Sequence, residues 1–325
     1  ALIHGYPNFK NSGAEWMLHE MFKFLVEKGH DVQVRVPITE IKPYTLDGVR
    51  VGVDVYHETK PDLQECDIVI THLNRQGRAI NICDETKKPC VVVHHNPHGF
   101  AIIPHKHNPT PQDRWLYCIY NSEHVKKTLT LPPHSYPNPS MVLYPPVDPK
   151  RVKAKKGTKV TLINCWPDKG GDLFAAIAAR MPDKKFLGVK GGYAETKQVI
   201  VSHPNIEYME NTPDIKKVYA KTRILLMPSI RESYGRTAVE AMINGIPVIA
   251  HPTVGLKECM GEGGIYIDRA DIDAWVAKIN ELDDPDKYEA ASKAALARAK
   301  EIEADRLPSL ERMETFLMKA IKKEL

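Results

Sequence analysis

No C-x-x-C pair occurs in this chain, and no unbroken run of roughly 18 apolar residues. No strong excess of charge of either sign is present. Each absence removes a class. The six cysteines (Cys66, Cys83, Cys90, Cys118, Cys165 and Cys259) stand too far apart for a compact zinc site. Most sit in apolar stretches such as PCVVV and LINCW, and read as free, mostly buried thiols of a reducing compartment. No membrane-spanning helix is expected. The first residues, ALIHGYPNFKN, lack a basic region followed by an apolar run, so no signal peptide is expected either. There is no G-x-x-x-x-G-K-[ST], which excludes a P-loop. No G-x-G-x-x-G follows a strand and no G-x-S-x-G elbow appears, which weighs against a dehydrogenase and a hydrolase. A net charge of +4 is too small to argue by itself for nucleic acid. What remains is an ordinary globular composition, 42% hydrophobic and 26% charged, over 325 residues. At about 100–200 residues per domain, that length favours two domains.

Histidine is uneven. Twelve of the 14 lie in the first 150 residues, five of them in HHNPHGFAIIPHKHN: His94, His95, His98, His105 and His107. No carboxylate sits among them at a ligand spacing, so no metal site is expected. His105 and His107 read as a proline-rich surface loop. His94 and His95 end an apolar run, where a strand meets a loop, and are the candidates for a substrate cleft.

Two α/β halves are legible. In the first, ALIH reads as a short strand and AEWMLHEMFKFLVEKGH as a helix. Its apolar stripe is Ala14, Met17, Leu18, Met21, Phe22 and Leu25, and it stops at Gly29. Trp16 and Phe24 lie off that stripe, either exposed to stack on a sugar or base or packed against a neighbouring loop. DVQVRVP, CDIVITH and KPCVVVHH follow as strands whose dense apolar runs fit a parallel sheet covered on both faces. LYCIYNS, a helix at EHVKKTL and a proline-rich stretch ending in VLYPPVD close this half. The basic stretch DPKRVKAKKGTK reads as an interdomain linker. Strands at TLINC, KFLGV, IEYM, RILLMP, IPVIA and GIYID then alternate with helices at DLFAAIAARM and TAVEAMIN, which points to an open parallel sheet. The tail beyond about Asp271 reads as three helices. The expected boundaries are 1–150, completed by a final helix at 307–325, and 151–306. Ligands of such sheets bind at the carboxyl ends of the strands. The loops that matter are therefore Gly5–Gly13, His94–His98, Cys165–Gly171, Val189–Tyr193 and Ser229–Gly235, around a cleft between the domains.

The densest chemistry is in RILLMPSIRESYGRTAVEAMINGIPVIAHPTVGLKE. A buried strand ends at Met227-Pro228-Ser229, and a loop carries Arg231, Glu232 and Ser233. A helix begins near Gly235, where backbone N–H groups at Gly235, Arg236 and Thr237 and the helix dipole suit a phosphate. Glu232 at the loop and Glu240 farther along the helix could accept hydroxyl hydrogen bonds, as a sugar nucleotide requires. The alternative has both glutamates as surface charges, with Arg236 and Glu240 an i,i+4 pair.

This segment resembles the signature of the retaining glycosyltransferases of family four. Pro228, Ser229, Glu232, Gly235, Glu240, Ala241, Met242, Gly245, Pro247, Val248, Ile249 and Ala250 match its pattern. The likeness extends to SGAEWMLHEMFKFLVEKGHDVQV, KPCVVVHH, NSEHVKKTL, VLYPPVD, LINCWPDKGGD and FLGVKGGY. It implies the glycosyltransferase B fold: α/β, with two Rossmann-like domains facing across a cleft. It also implies a metal-independent retaining transfer from a nucleotide-diphosphate sugar, with no cofactor. By resemblance Glu232 contacts the donor sugar, Glu240 holds the ribose and Lys169 neutralises the diphosphate. The donor side further includes Gly235, Arg236, Ser233, Tyr234, Arg231, Lys190 and Gly191. His95 or its neighbour His94 approaches the sugar, and Gly13 and Ala14 line the acceptor side. The family's attack comes from the face the leaving group departs, and the leaving phosphate helps take the acceptor proton, so no protein base is assigned. Two departures are visible. Asn164, Cys165 and Trp166 stand where the family carries a Gly-Arg before its K-G, and Lys190 replaces a frequent glycine. Arg231, Arg236 or Lys190 are the candidates to supply the missing cation.

The donor's base and sugar are not legible. The acceptor stays open among a glycan, a lipid-linked glycan, a small molecule and a modified nucleic acid. The linker cluster Lys150, Arg151, Lys153, Lys155, Lys156 and Lys159 is either a solvated hinge or a surface for anionic lipid or nucleic acid. Charges cancel through Lys150, so the excess lies in the linker and donor half. A cytoplasmic location is expected, with peripheral membrane contact left open. Rival readings are a sugar-nucleotide epimerase of this architecture and a nucleic-acid-binding relative on a disabled transferase scaffold.

Overall fold

The computed structural model describes residues 1–37, 42–54, 65–97, 115–130, 138–192 and 197–325. His98, His105, His107 and Tyr193 lie outside them. The chain forms two compact units. The first comprises Ala1–Phe9, Ala14–Pro146 and Leu307–Leu325; the second comprises Lys10–Gly13 and Val147–Arg306.

In the first unit, α1 (Gly13–Glu27) is buried around most of its circumference. Trp16 and Phe24 are 8% and 5% exposed, so the packed alternative is the one observed and neither is a surface platform. The helix ends at Gly29, whose φ is +93°. The His30 N–H reaches the Leu25 carbonyl and the Gly29 N–H that of Val26, the paired bonds of a glycine-terminated helix. The strands are β1 (Gln33–Val36), β2 (Tyr44–Leu46), β3 (Val49–Val53), β4 (Val69–His72), β5 (Cys90–His94), β6 (Leu116–Tyr120) and β7 (Ser140–Val142). ALIH contributes bridges at Leu2 rather than a full strand; Leu2 pairs with both Arg35 and Thr71. The order is therefore β2-β3-β1-Leu2-β4-β5-β6-β7, with β2 alone antiparallel to its neighbour. The β2–β3 hairpin turns on Asp47-Gly48, both at positive φ, as a tight two-residue turn demands. His19 of α1 ties that turn down, contacting Asp47 Oδ2 through Nε2 at 2.9 Å and the Tyr6 hydroxyl through Nδ1 at 2.7 Å. Helices α2 (Gln76–Thr86) and α3 (Glu123–Leu129) complete the βα connections; Ser122 caps α3 by accepting from Val125 N.

The second unit has one parallel sheet. Its strands are β8 (Lys159–Ile163), β9 (Phe186–Val189), β10 (Ile206–Met209), β11 (Thr222–Met227), β12 (Val248–Ala250) and β13 (Ile265–Tyr266), in the order β10-β9-β8-β11-β12-β13. Helices α4 (Pro149–Val152), α5 (Gly171–Ala179), α6 (Lys216–Tyr219), α7 (Arg236–Ile243), α8 (Val254–Met260) and α9 (Ile272–Glu281) accompany it. Phe174, Phe186 and Trp275 anchor the core. The Trp275 indole N–H is satisfied by the Asp268 carbonyl. The basic linker is not a free hinge. Val152 is fully buried, Ala154 N donates to Asn244 Oδ1, Lys156 lies over the Tyr288 ring and Lys159 pairs with Glu207. The tail holds two helices rather than three: α9 and then α10 (Pro285–Lys322), a 38-residue helix that runs through Pro308. Beyond Pro308, Leu310, Met313, Phe316 and Leu317 are core residues of the first unit. This packing sustains the helix across a residue that locally disfavours it. Among the described residues no helix is long and apolar enough to cross a membrane.

Candidate functional site

In the second unit the chain leaves β8 toward β9 and β10 on one side, and β11 toward β12 and β13 on the other. β8 and β11 are neighbours, so the switch point lies between their carboxyl ends, where open α/β sheets bind ligands. Two loops meet there. After β8, the turn Pro167–Lys169 leads through Gly170, at φ +91°, into α5. A Cβ on Gly170 would lie 2.4 Å from Pro228 Cγ, and one on Gly171 2.2 Å from the Cys165 carbonyl oxygen. Only glycines allow this approach. The loop after β11 is joined to the first by a backbone bond from Ile230 N to the Asp168 oxygen, 2.8 Å. Arg269 clamps both, donating to the carbonyls of Pro228 and Pro167 and to Asp172.

Across this junction Lys169 Nζ lies 2.6 Å from Glu232 Oε1, and Ser229 Oγ donates to the same oxygen at 2.8 Å. The Lys169 and Glu232 side chains are 27% and 14% exposed, partly desolvated yet reachable. Arg231 Nη2 meets Asp168 Oδ2 at 2.9 Å. On α7, Arg236 Nε donates to Glu240 Oε1 at 2.9 Å, and the Tyr219 hydroxyl to Glu240 Oε2 at 2.9 Å. The surface-charge alternative is thus overturned for both glutamates, because Glu240 is 5% exposed and Glu232 is held by two partners. The i,i+4 pair exists, but it is a buried one. Burial first, and then the Glu240 charge, raise the Tyr219 phenol well above its usual pKa, so its proton stays in place to be donated. Gly235, at φ +112°, precedes α7, and among the described residues no side chain caps that helix.

The remaining expected donor residues are dispersed. Tyr234 is 2% exposed, in the interior beside Cys259, and is not presented to this junction. Ser233 lies in the loop; a Cβ on Gly255 would meet its carbonyl carbon at 2.6 Å and the Glu232 oxygen at 2.3 Å. Lys190 pairs with Glu210, and Gly191 N donates to Gln198 Oε1. Asn164, the first of the three residues that stand in the Gly-Arg stretch of the resemblance, adopts φ +72° and fills the space over Gly191. Gly13 groups with the second unit and Ala14 with the first. Tyr219 and Arg269 were not among the sequence candidates, and Asp168 and Gly255 only stood within quoted stretches. None of these four has a local signal that distinguishes it.

In the first unit His94 is the last residue of β5 and stacks on Tyr120, ring centres 5.0 Å apart. His95 Nε2 lies 3.1 Å from His72 Nδ1, and the His95 carbonyl accepts from Asn121 Nδ2. Burial lowers the His94 pKa to about 4 and, with His94 beside it, that of His95 to about 3. His72 is lowered too, by burial and then by His95. All three are neutral near pH 7 and can offer hydrogen bonds, not charge. Among the described residues no three His, Cys, Asp or Glu side chains group as a metal site.

The arrangement in the second unit can neutralise a diphosphate with Lys169, Arg231 and the starts of α5 and α7. It can accept sugar hydroxyls at Glu232 and Glu240. Comparison with known proteins agrees in kind. Residues 162–284 match the family model for glycosyl transferases group 1. O-antigen chain mannosyltransferase B of Escherichia coli is 35% identical over 99 residues, 30% of this chain and 26% of that protein. D-inositol 3-phosphate glycosyltransferase of Mycobacterium sp. (strain KMS) is 28% identical over 130 residues, 36% of this chain and 30% of that one. The matched stretch thus spans between a quarter and a third of these relatives. In fold, the chain is similar to HepE of Anabaena, crystallised with UDP and glucose (TM-score 0.76, 15% identity, 98% of each chain). It is equally similar to sucrose-phosphate synthase of Thermosynechococcus elongatus (TM-score 0.76, 14% identity, 98% of each chain).

Proposed function

On the match of residues 162–284 to the model for glycosyl transferases group 1, we propose that the chain is a group 1 glycosyltransferase of GT-B fold that moves a sugar from a nucleotide-diphosphate sugar to an acceptor hydroxyl, with retention and without a metal ion. The observation that carries this reading is the Lys169–Glu232 pair at the β8/β11 switch point, with Glu240 buried on the adjoining helix. When a diphosphate arrives, Lys169 transfers from Glu232 to the phosphate oxygens. Glu232, still held by Ser229, is then released to accept hydroxyls of the donor sugar. Glu240 keeps Arg236 and Tyr219 and offers its remaining lone pairs to the ribose. As the glycosidic bond breaks, charge grows on the leaving diphosphate. Lys169, once shifted from Glu232, stabilises that charge together with Arg231 and the helix starts. The departing phosphate takes the acceptor proton on the same face. His95, or His94, supplies a neutral hydrogen bond to the sugar, and Gly13 and Ala14 lie toward the acceptor. The work is done in the cytoplasm.

UDP-, GDP- and ADP-sugars, screened by thermal stabilisation, identify the donor class, because a ligand of the native state raises Tm. HepE was crystallised with UDP-glucose, which makes UDP-sugars the first choice. Release of nucleoside diphosphate in the presence of glycan, lipid-linked glycan and polyol acceptors then measures turnover. Glu232→Ala abolishes turnover, and EDTA leaves it intact. Full activity in Glu232→Ala, or strict dependence on Mn²⁺, refutes the assignment.

A further inference from the structure

A second cluster of charge lies in the first unit and has no part in the donor site. Asp54 follows β3; Arg75 and Arg78 follow β4, at the turn Leu73–Arg75 and the first turn of α2. In the strand order these two strands flank β1 and Leu2, where this unit's own switch point falls, so the cluster lies at the carboxyl edge that binds ligands in such sheets. The Asp54 side chain is fully buried. Arg78 Nη1 donates to its Oδ2 at 2.8 Å. Arg75 approaches the same oxygen no closer than 3.8 Å, beyond a hydrogen bond.

One arginine suffices to neutralise Asp54, so two leave a net positive charge in a partly desolvated place. Burial lowers the pKa of Arg75; the Asp54 charge opposes this, and the smaller effect of Arg78 adds to the lowering. Among the described residues, the buried Nε of Arg75 has no hydrogen-bond partner. The site is also reachable. The Arg75 side chain is 26% exposed and that of Arg78 20%. A Cβ built on Gly77, between them, meets no described atom within 4 Å.

We propose that Arg75 and Arg78, at the start of the 11-residue helix α2, bind a phosphoryl group carried by the acceptor. The guanidinium of Arg75 presents a planar fork suited to two phosphate oxygens. The helix start adds partial positive charge, and the open surface over Gly77 admits the anion. Binding of a phosphoryl group stands on this geometry. Its assignment to the acceptor rests on the transferase reading above.

The test titrates inorganic phosphate into the whole chain and reads Tm. Wild type and Lys169→Gln, disabled on the donor side, both gain stability. Arg75→Gln responds to phosphate about tenfold more weakly, yet keeps the full response to UDP. A phosphate response unchanged in Arg75→Gln overturns the proposal. Should Arg75→Gln fail to fold, Arg75→Lys keeps the charge and loses the fork, and unaltered phosphate affinity in it is equally fatal. Co-sedimentation with phosphatidylglycerol vesicles, lost in Arg75→Gln, assigns the phosphoryl group to a lipid headgroup; competition by glycerol phosphate without vesicle binding assigns it to a soluble ester. Loss of every nucleotide response while the Arg75-dependent phosphate response persists refutes the transferase reading and leaves the anion site standing.

Discussion

Replacing Tyr219 with phenylalanine removes one hydroxyl and leaves the ring, so packing is conserved and no cavity opens. The lost group is a buried donor 2.9 Å from Glu240 Oε2; Thr237 O, at 3.3 Å, is the poorer acceptor for its single proton. A buried hydrogen bond to a charged group contributes about 1.5–3 kcal/mol. Arg236 remains, so Glu240 is weakened but not stranded. The expected destabilisation of Tyr219→Phe is therefore about 1.5–3 kcal/mol, read as a lower urea midpoint at constant slope. Arg236→Met, which breaks the buried ion pair itself, costs more, about 3–5 kcal/mol. Because both groups hold one carboxylate, the double variant departs from additivity. Function separates this from simple loosening. If Glu240 positions the nucleotide, Tyr219→Phe raises the donor KM with kcat little changed. A midpoint shift below about 0.5 kcal/mol, the usual effect of a neutral surface change, would refute the buried-network reasoning.

Three further outcomes follow from the same structure. Folded His94 and His95 titrate near 4 and 3 against about 6.5 in the unfolded chain, so the unfolded state takes up protons that the folded one refuses. Their stabilisation is complete above pH 6.5 and falls as pH drops toward 4, by about 2 kcal/mol per histidine at pH 5. Urea midpoints at pH 7.5 and 5 show this, and His94→Asn flattens the profile; parallel profiles count against it. Gly170→Ala places a methyl 2.4 Å from Pro228 at φ +91°. It costs at least about 1–3 kcal/mol and weakens nucleoside diphosphate binding, measured by calorimetry, by separating the two loops. Trp275→Ala, at a fully buried residue, lowers stability by about 3–5 kcal/mol in chemical unfolding without altering donor affinity.

Much of the fold was legible because its signals are local. Dense apolar runs spaced by helical stripes identify parallel βα units, and Gly29 ends α1 where its position in sequence says it should. The Asp47-Gly48 hairpin was legible by the same standard, a two-residue turn between alternating strands, yet it lay outside the segments assigned. The segment Pro228–Ala250 is the strongest case. Its strand end, loop glutamate, Gly235 and helix glutamate lie close enough in sequence for one pattern to contain them. That is why Glu232 and Glu240 could be named as candidates before any geometry was known; Lys169 came from a separate stretch, LINCWPDKGGD.

Sequence alone thus determined the α/β class, the family signature and the residue types at the β8/β11 junction, since each depends on neighbours a few positions away. Tertiary structure decided everything that depends on which surfaces meet. Trp16 and Phe24 sit off the apolar stripe of α1, but that helix is enclosed on more than its stripe, so both are buried. Pro308 is a breaker by local rule, yet Leu310, Met313, Phe316 and Leu317 pack beyond it and the helix continues. Tyr219 finds Glu240 from 21 residues away and Arg269 clamps loops 41 and 102 residues distant. Arg75 and Arg78 share one buried carboxylate on a different strand. No periodicity encodes such meetings, because the energy of a buried polar contact belongs to the pair, and the pair exists only once the chain has folded.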